Sequence, residues 1–175
     1  HQLLERHARS RAQVTVLSPL DRQASRRAAV LDRAADYVLQ RGLAGLSLRP
    51  LAKALGTSPR MLLYDFGSKE QLVQDVLAEI RRREVTLLEA EVRTLEDVWA
   101  WIAAPEREPF LRLFFEVYVG GLADGEAAPL VQDWLDFLLE QWHPPVDEAT
   151  ATLMVAVVRG LLLDRLATGD AARTD

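Results

Sequence analysis

Residues 47–72, SLRPLAKALGTSPRMLLYDFGSKEQL, hold two short helical patterns split by a glycine, then the start of a third. Ser47 is placed to cap the first, whose apolar positions Leu48, Leu51, Ala52 and Leu55 have the spacing of one helical face. Arg49 and Lys53 fall off that face, and Pro50 is tolerable only because it lies so close to the helix start. Gly56 ends the helix, because glycine takes a left-handed cap without penalty. Ser58 and Pro59 restart it as a serine cap followed by proline at the first helical position. Leu62 and Phe66, one turn apart, face inward and leave Arg60, Met61 and Tyr64 pointing out. Gly67 breaks the chain again, and Ser68 caps a longer helix with Glu70 and Gln71 in its first turn. Two short helices, a tight turn and a basic outer face form a helix-turn-helix, which can push a helix end into the major groove of DNA.

Charge is divided along the chain. The net charge of −5 over 175 residues looks unsuited to a nucleic-acid binder. Residues 1–85, however, hold 15 Lys+Arg against 9 Asp+Glu, and residues 86–175 hold 6 against 17. A basic half carrying the motif and an acidic half without it fit a phosphate-binding head on a separate body that DNA repels.

Composition narrows the alternatives. With no cysteine there is no disulfide, thiolate chemistry or cysteine zinc site. His1, His7 and His143 lack metal-ligand spacing, and His143 reads as a loop residue beside Pro144 and Pro145. No phosphate-binding glycine loop, membrane span or secretory leader is evident, so no metal, cofactor or membrane is expected, and cytoplasmic residence is the default.

Strand-like alternation is absent, and helices are expected near 23–41, 48–55, 59–65, 69–93, 95–103, 108–123, 128–142 and 147–168. The breaks are Gly42, Gly56, Gly67, Pro105, Gly125 and Pro144-Pro145. The fold class is all-α: a three-helix head with the helix-turn-helix, then a helical body. The expected divisions are an amino-terminal arm at 1–22, a DNA-binding domain at 23–67 and a ligand-binding and dimerisation domain at 68–175. Arg6, Arg9, Arg11, Arg22, Arg26 and Arg27 make the arm region basic, which fits a segment tracking DNA backbone and equally a solvated tail.

The order helix, then G-L-x-x-L-S-L-R-x-L-A-x-x-L-G-T-S, then a short helix and F-G-S-K-E-x-L-V resembles the TetR family of bacterial transcriptional repressors. The matching positions are Gly42, Leu46, Leu48, Leu51, Ala52, Leu55, Gly56, Ser58, Tyr64, Phe66, Ser68, Lys69, Glu70 and Leu72, within residues 23–85. The resemblance implies an all-α homodimer whose long fourth helix links each head to a ligand-binding body. It implies that Thr57, Arg60 and Met61 face base edges and that Tyr64 and Lys69 contact phosphates, with Ser47, Arg49 and Ser58 completing the DNA-binding set. Two positions depart from the family pattern. Leu63 stands where many members have tyrosine, which removes a phosphate hydrogen bond. Asp65 stands where a neutral or basic residue is common, placing a negative charge near DNA unless Arg60 or Lys69 pairs with it.

In the body, EPFLRLFFEVYVGGLA (108–123) is apolar on nearly every side except Arg112 and Glu116, so burial all round is expected. Trp99, Trp101, Trp134, Phe137 and Trp142 lie in the same half. Residue by residue the reading is a plain aromatic core, although aromatics with a few polar tips also describe a pocket for an apolar molecule. The resemblance implies the pocket, with Trp99, Phe110, Phe114, Tyr118 and Trp134 as its walls and Glu116 or Arg159 as a polar anchor. The last helix carries Ala149, Leu153, Ala156, Val157, Gly160 and Leu161 on one stripe, suited to packing within the chain or against a second copy. Its outward apolarity favours a dimer bundle with 128–142, using Trp134, Phe137, Leu138, Leu153, Ala156, Val157, Gly160 and Leu161. Relatives often continue into another helical stretch, so the chain is expected to stop short at Asp175.

The resulting expectation is a sequence-specific DNA-binding regulator, a repressor released from a double-stranded operator by an apolar small molecule. The competing class is a helical ligand or protein-interaction module that kept the fold and lost specific DNA binding, with Leu63 and Asp65 in its favour. An enzyme built on Glu116, Arg112 and Tyr118 lacks a positioned base and nucleophile, so no catalysis is expected.

Overall fold

The structure, a computed structural model, describes residues 18–92, 94–123, 125, 127–141 and 145–174, without the side chains of residues 19, 89–91, 95, 137, 138 and 141. The arm cations Arg6, Arg9 and Arg11, the residues Trp142 and His143, and the side chains of Phe137 and Leu138 therefore lie outside the described residues.

The described residues form eight α-helices and no strand: α1 Pro19–Arg41, α2 Leu48–Ala54, α3 Pro59–Phe66, α4 Lys69–Glu91, α5 Leu95–Ile102, α6 Glu108–Gly120, α7 Ala128–Gln141 and α8 Glu148–Thr168. A 3-10 turn at Pro105–Arg107 precedes α6. None of these helices is long and apolar enough to cross a membrane.

α1 begins four residues before the expected position 23. Its start is fixed by a capping box: Ser18 accepts from the Asp21 amide, and Asp21 accepts from the Ser18 amide. Arg22, Arg26 and Arg27 thus stand on a helix rather than an arm. α1 buries Val30, Ala34, Ala35 and Val38 in one stripe. α2 and α3 add Leu51, Ala52, Leu55, Leu62 and Phe66.

The long α4 joins two cores. Leu72, Val76 and Ile80 belong to the head cluster, and Leu88 belongs to the body cluster with Trp101, Ile102, Leu111, Phe115 and Leu162. α6 is shared in the same way, since Leu113 enters the head core while Leu111 and Phe115 enter the body core. Each of these helices gives one stripe of side chains to the head and another to the body. α6 is nevertheless not buried all round. It ends at Gly120, and Val119 and Leu122 beyond its buried stretch are exposed, because the neighbouring helices cover only its earlier turns.

α8 is apolar on most of its circumference yet buries only Ala151, Val155 and Leu162. Ala149, Ala156 and Gly160 are exposed, as are Leu153 (64%) and Val157 (50%). Leu161 is half-buried.

Candidate nucleic-acid interface and body cavity

The turn between α2 and α3 is closed by backbone. The Thr57 amide donates to the Ala52 carbonyl at 2.9 Å and the Gly56 amide to the Lys53 carbonyl at 3.2 Å, with Gly56 at φ 66°. Ser58 caps α3 by accepting from the Met61 amide at 3.2 Å, and Ser68 caps α4 by accepting from the Gln71 amide at 3.0 Å. Ser47 occupies the cap position of α2 but makes no side-chain cap bond there, which differs from the expected role.

With Leu62 and Phe66 anchored inward, the rest of α3 is turned out. Tyr64 is 68% exposed, an unusual position for a large ring on a folded surface. Arg60 is exposed, and Met61 and Thr57 are half-buried beside it. Ser47, Arg49, Ser58 and Lys69 are exposed on the flanking segments. Arg49, Lys53, Arg60 and Lys69 form no ion pair with a described residue. Their charge is therefore available to an outside anion.

Other cations of the head are consumed internally. Arg26 donates to Asp65 at 2.6 Å, and the Asp65 carboxylate side chain is nearly buried. Arg27 bonds the Asp65 carbonyl at 3.1 Å, pairs with Asp75 and sits 4.7 Å over the Phe66 ring. Asp65 therefore pairs with α1, not with Arg60 or Lys69. Its negative charge, expected to face DNA, is neutralised and serves to lock α3 onto α1. Along α4, Arg83 joins Asp32, Asp36 and Glu79. Hydrogen bonds from Arg82, and then from Arg83, hold the Glu79 carboxyl down to about 2. Leu63 remains partly exposed on α3.

Residues 30–76 match the family model described as bacterial regulatory proteins, tetR family. By this head, the chain is similar to TetR-family proteins. A solved structure classed as a TetR-family transcriptional regulator from Rhodococcus sp. has the same fold, with a TM-score of 0.64 at 22% identity, covering 86% of this chain and 92% of that one. No curated protein matches the chain. The matched residues span α1 from Val30, the whole helix-turn-helix and the first turns of α4, so the cation-bearing surface lies within the segment that resembles the family.

Behind the head, a cavity of about 510 Å³ opens between α4, α6 and α7, with Trp101 of α5 in its wall. A smaller one of about 40 Å³ adjoins α8. Phe110, Phe114 and Trp134 line both. These are three of the expected wall residues. Trp99 lines neither cavity and packs instead against the body core. Tyr118 also lies behind the wall: it stacks on Phe114 with centroids 6.1 Å apart and accepts from Arg159 at 3.0 Å. Arg159 does line the smaller cavity.

Glu116 is not a pocket anchor. Both its carboxylate oxygens accept from the Leu43 amide, at 3.0 and 3.2 Å, so it clamps the corner between α1 and α2. Gly42 makes this approach possible. It sits at φ 72° and ψ −175°, and a Cβ there would lie 2.8 Å from Glu116 Oε2. Sequence reasoning missed this role because the two partners lie 73 residues apart. Trp134, also expected at a dimer interface, packs against both body clusters and lines both cavities. Arg112 pairs with Glu108, which leaves Arg112, Glu116 and Tyr118 each engaged with a different partner.

Proposed function

We propose that the chain is a homodimeric repressor whose heads grip an operator and release it when a small molecule with an apolar body fills the cavity of about 510 Å³. One observation carries this reading. α6 lines the cavity through Phe110, Leu113, Phe114 and Val117, and the same helix holds the head's α1–α2 corner through Glu116. A guest that displaces α6 therefore acts on the head through a direct contact.

The unpaired cations Arg49, Lys53, Arg60 and Lys69 support phosphate binding, with Tyr64 beside them. In this reading Thr57, Arg60 and Met61 meet base edges, and Ser47, Ser58, Tyr64 and Lys69 meet the backbone. The outward stripe Leu153, Ala156, Val157 and Gly160 of α8 supports pairing with a second copy. Two heads on a twofold axis read half-sites about 34–36 Å apart. The alternative, a module that lost DNA binding, leaned on Asp65 and Leu63; Arg26 neutralises the first, so only Leu63 still favours it.

The test is a fluorescence anisotropy titration of the duplex upstream of the chain's own reading frame, with and without 2-acetylnaphthalene as cavity probe. Expected is tight binding that weakens with probe, and a probe affinity lowered by DNA by the same factor, as linkage demands. Probe binding of equal strength to free and DNA-bound protein contradicts release by the cavity. Equal binding to upstream and scrambled duplex contradicts the operator.

A further inference from the structure

We propose that the half-site this chain reads presents a guanine to Arg60 and, beside it, the methyl group of a thymine to Met61. This deepens the reading above and rests on its operator. α3 fixes which side chains can enter a major groove, and their chemistry limits which base edges they can meet.

Leu62 and Phe66, both buried, fix the inward side of α3. Helical spacing then puts Arg60 and Tyr64, also one turn apart, on the opposite side, with Met61 and Leu63 on the two flanks. Arg60 and Met61 lie in the first turn of α3, the part of such a helix that reaches base edges. Arg60 is exposed and forms no ion pair with a described residue, so its guanidinium is free to enter a groove. Met61 is half-buried beside it, and Leu63 lies beyond that first turn.

A guanidinium only donates, and it does so through a planar fork. In the major groove guanine alone sets two acceptors, O6 and N7, side by side, whereas adenine and cytosine each bring an amino donor that opposes the fork. The side chains suited to those other bases are missing. Residues 47–66 contain no Asn or Gln to pair with adenine and no Glu to accept from cytosine. Their one carboxylate, Asp65, is turned to α1, where Arg26 holds it at 2.6 Å. The Ser58 hydroxyl oxygen accepts from the Met61 amide at 3.2 Å, and the hydroxyls of Thr57 and Tyr64 both donate and accept, so they favour no single base. An apolar side chain distinguishes bases in this groove by the thymine methyl. Met61 is the apolar residue that shares the first turn with Arg60, which sets that methyl beside the guanine.

The test is selection by the chain from a pool of random-sequence duplexes, followed by anisotropy titration of the selected duplex carrying single base analogues. 7-Deazaguanine lacks the N7 acceptor, and uracil is thymine without its methyl. Expected is a shared half-site containing guanine, with about tenfold weaker wild-type binding when 7-deazaguanine replaces it. Arg60→Ala should bind the guanine and 7-deazaguanine duplexes equally. Uracil in place of the neighbouring thymine should weaken wild-type binding about fourfold and leave Met61→Ala unaffected. A 7-deazaguanine penalty that survives in Arg60→Ala overturns the inference, as does a uracil penalty that survives in Met61→Ala. A shared half-site without guanine overturns the inference alone. Selection of no shared sequence overturns the operator reading as well.

Discussion

The head and the body spend their side chains in opposite ways. The head closes its core with mainly aliphatic residues and knits its helices with ion pairs, then leaves Arg49, Lys53, Arg60 and Lys69 outside those pairs. The body spends aromatic rings on a core that does not close, pairs the charges along its large cavity, and leaves an apolar stripe on α8 facing out. One region presents unbalanced charge, the other unfilled apolar space. Surfaces left unsatisfied in these two manners suit a polyanion in one case and an apolar partner in the other. α4 and α6 belong to both regions, so neither can shift without the other being touched.

The largest effect should come from the head core. Leu62→Ala removes a side chain that is 1% exposed and should cost about 2–5 kcal/mol in denaturant unfolding. DNA binding should be lost with it. If the two regions were independent, the body's unfolding midpoint would not move; because α4 and α6 are shared, it should fall as well.

Second comes the α8 stripe. Leu153→Glu places an unpaired charge where a second copy is proposed to pack, and should weaken association by about 3 kcal/mol. Sedimentation at micromolar concentration should then show monomer. An unchanged dimer would move the interface elsewhere.

Gly42→Ala probes the joint between the regions. An alanine in this glycine-only conformation should cost about 1–3 kcal/mol and push the Glu116 carboxylate off the Leu43 amide. Probe binding should persist while its effect on DNA affinity falls.

Much of the head could be read before its structure, and the reason is locality. Ser58, Pro59, Gly67 and Ser68 act on residues at most four positions away, so turn chemistry alone places α3 and α4. The start of α1 was equally local, in Ser18 and Asp21, but its first turn lacks an apolar face and so gave no periodic signal. What could not be read was long-range. Asp65 meets Arg26 across 39 residues, and Glu116 meets Leu43 across 73. No spacing rule joins such partners. The aromatic residues of the body were visible as a group, but which of them face a cavity depends on how helices pack. Phe114 and Tyr118 are one turn apart, yet only the first lines the cavity.

Two smaller effects separate contact with DNA from support of the head. Lys69→Ala should weaken duplex binding by about 1 kcal/mol and lower the salt slope by about 1, because it removes one proposed phosphate contact. Unfolding stability should stay unchanged, since Lys69 is exposed and forms no ion pair with a described residue. Glu79→Gln should do the reverse. The Glu79 carboxyl lies at about 2 in the folded chain, below its ordinary 4.5, so its stabilisation is full above pH 4.5 and fades as pH falls toward 2. The variant should be less stable at neutral pH, by less than about 1 kcal/mol, with a flatter acid limb in thermal melts. Duplex binding at pH 7 should be unaffected.

The most direct measurement is duplex affinity across a salt series, comparing the wild type with a Tyr64→Ala, Lys69→Ala double variant on upstream and scrambled DNA. A head that reads DNA predicts that the wild type prefers the upstream duplex and loses affinity by decades as salt rises, while the double variant binds both duplexes weakly and with a shallower slope. Wild-type binding that is feeble, equal on both duplexes and indifferent to the double substitution would contradict it.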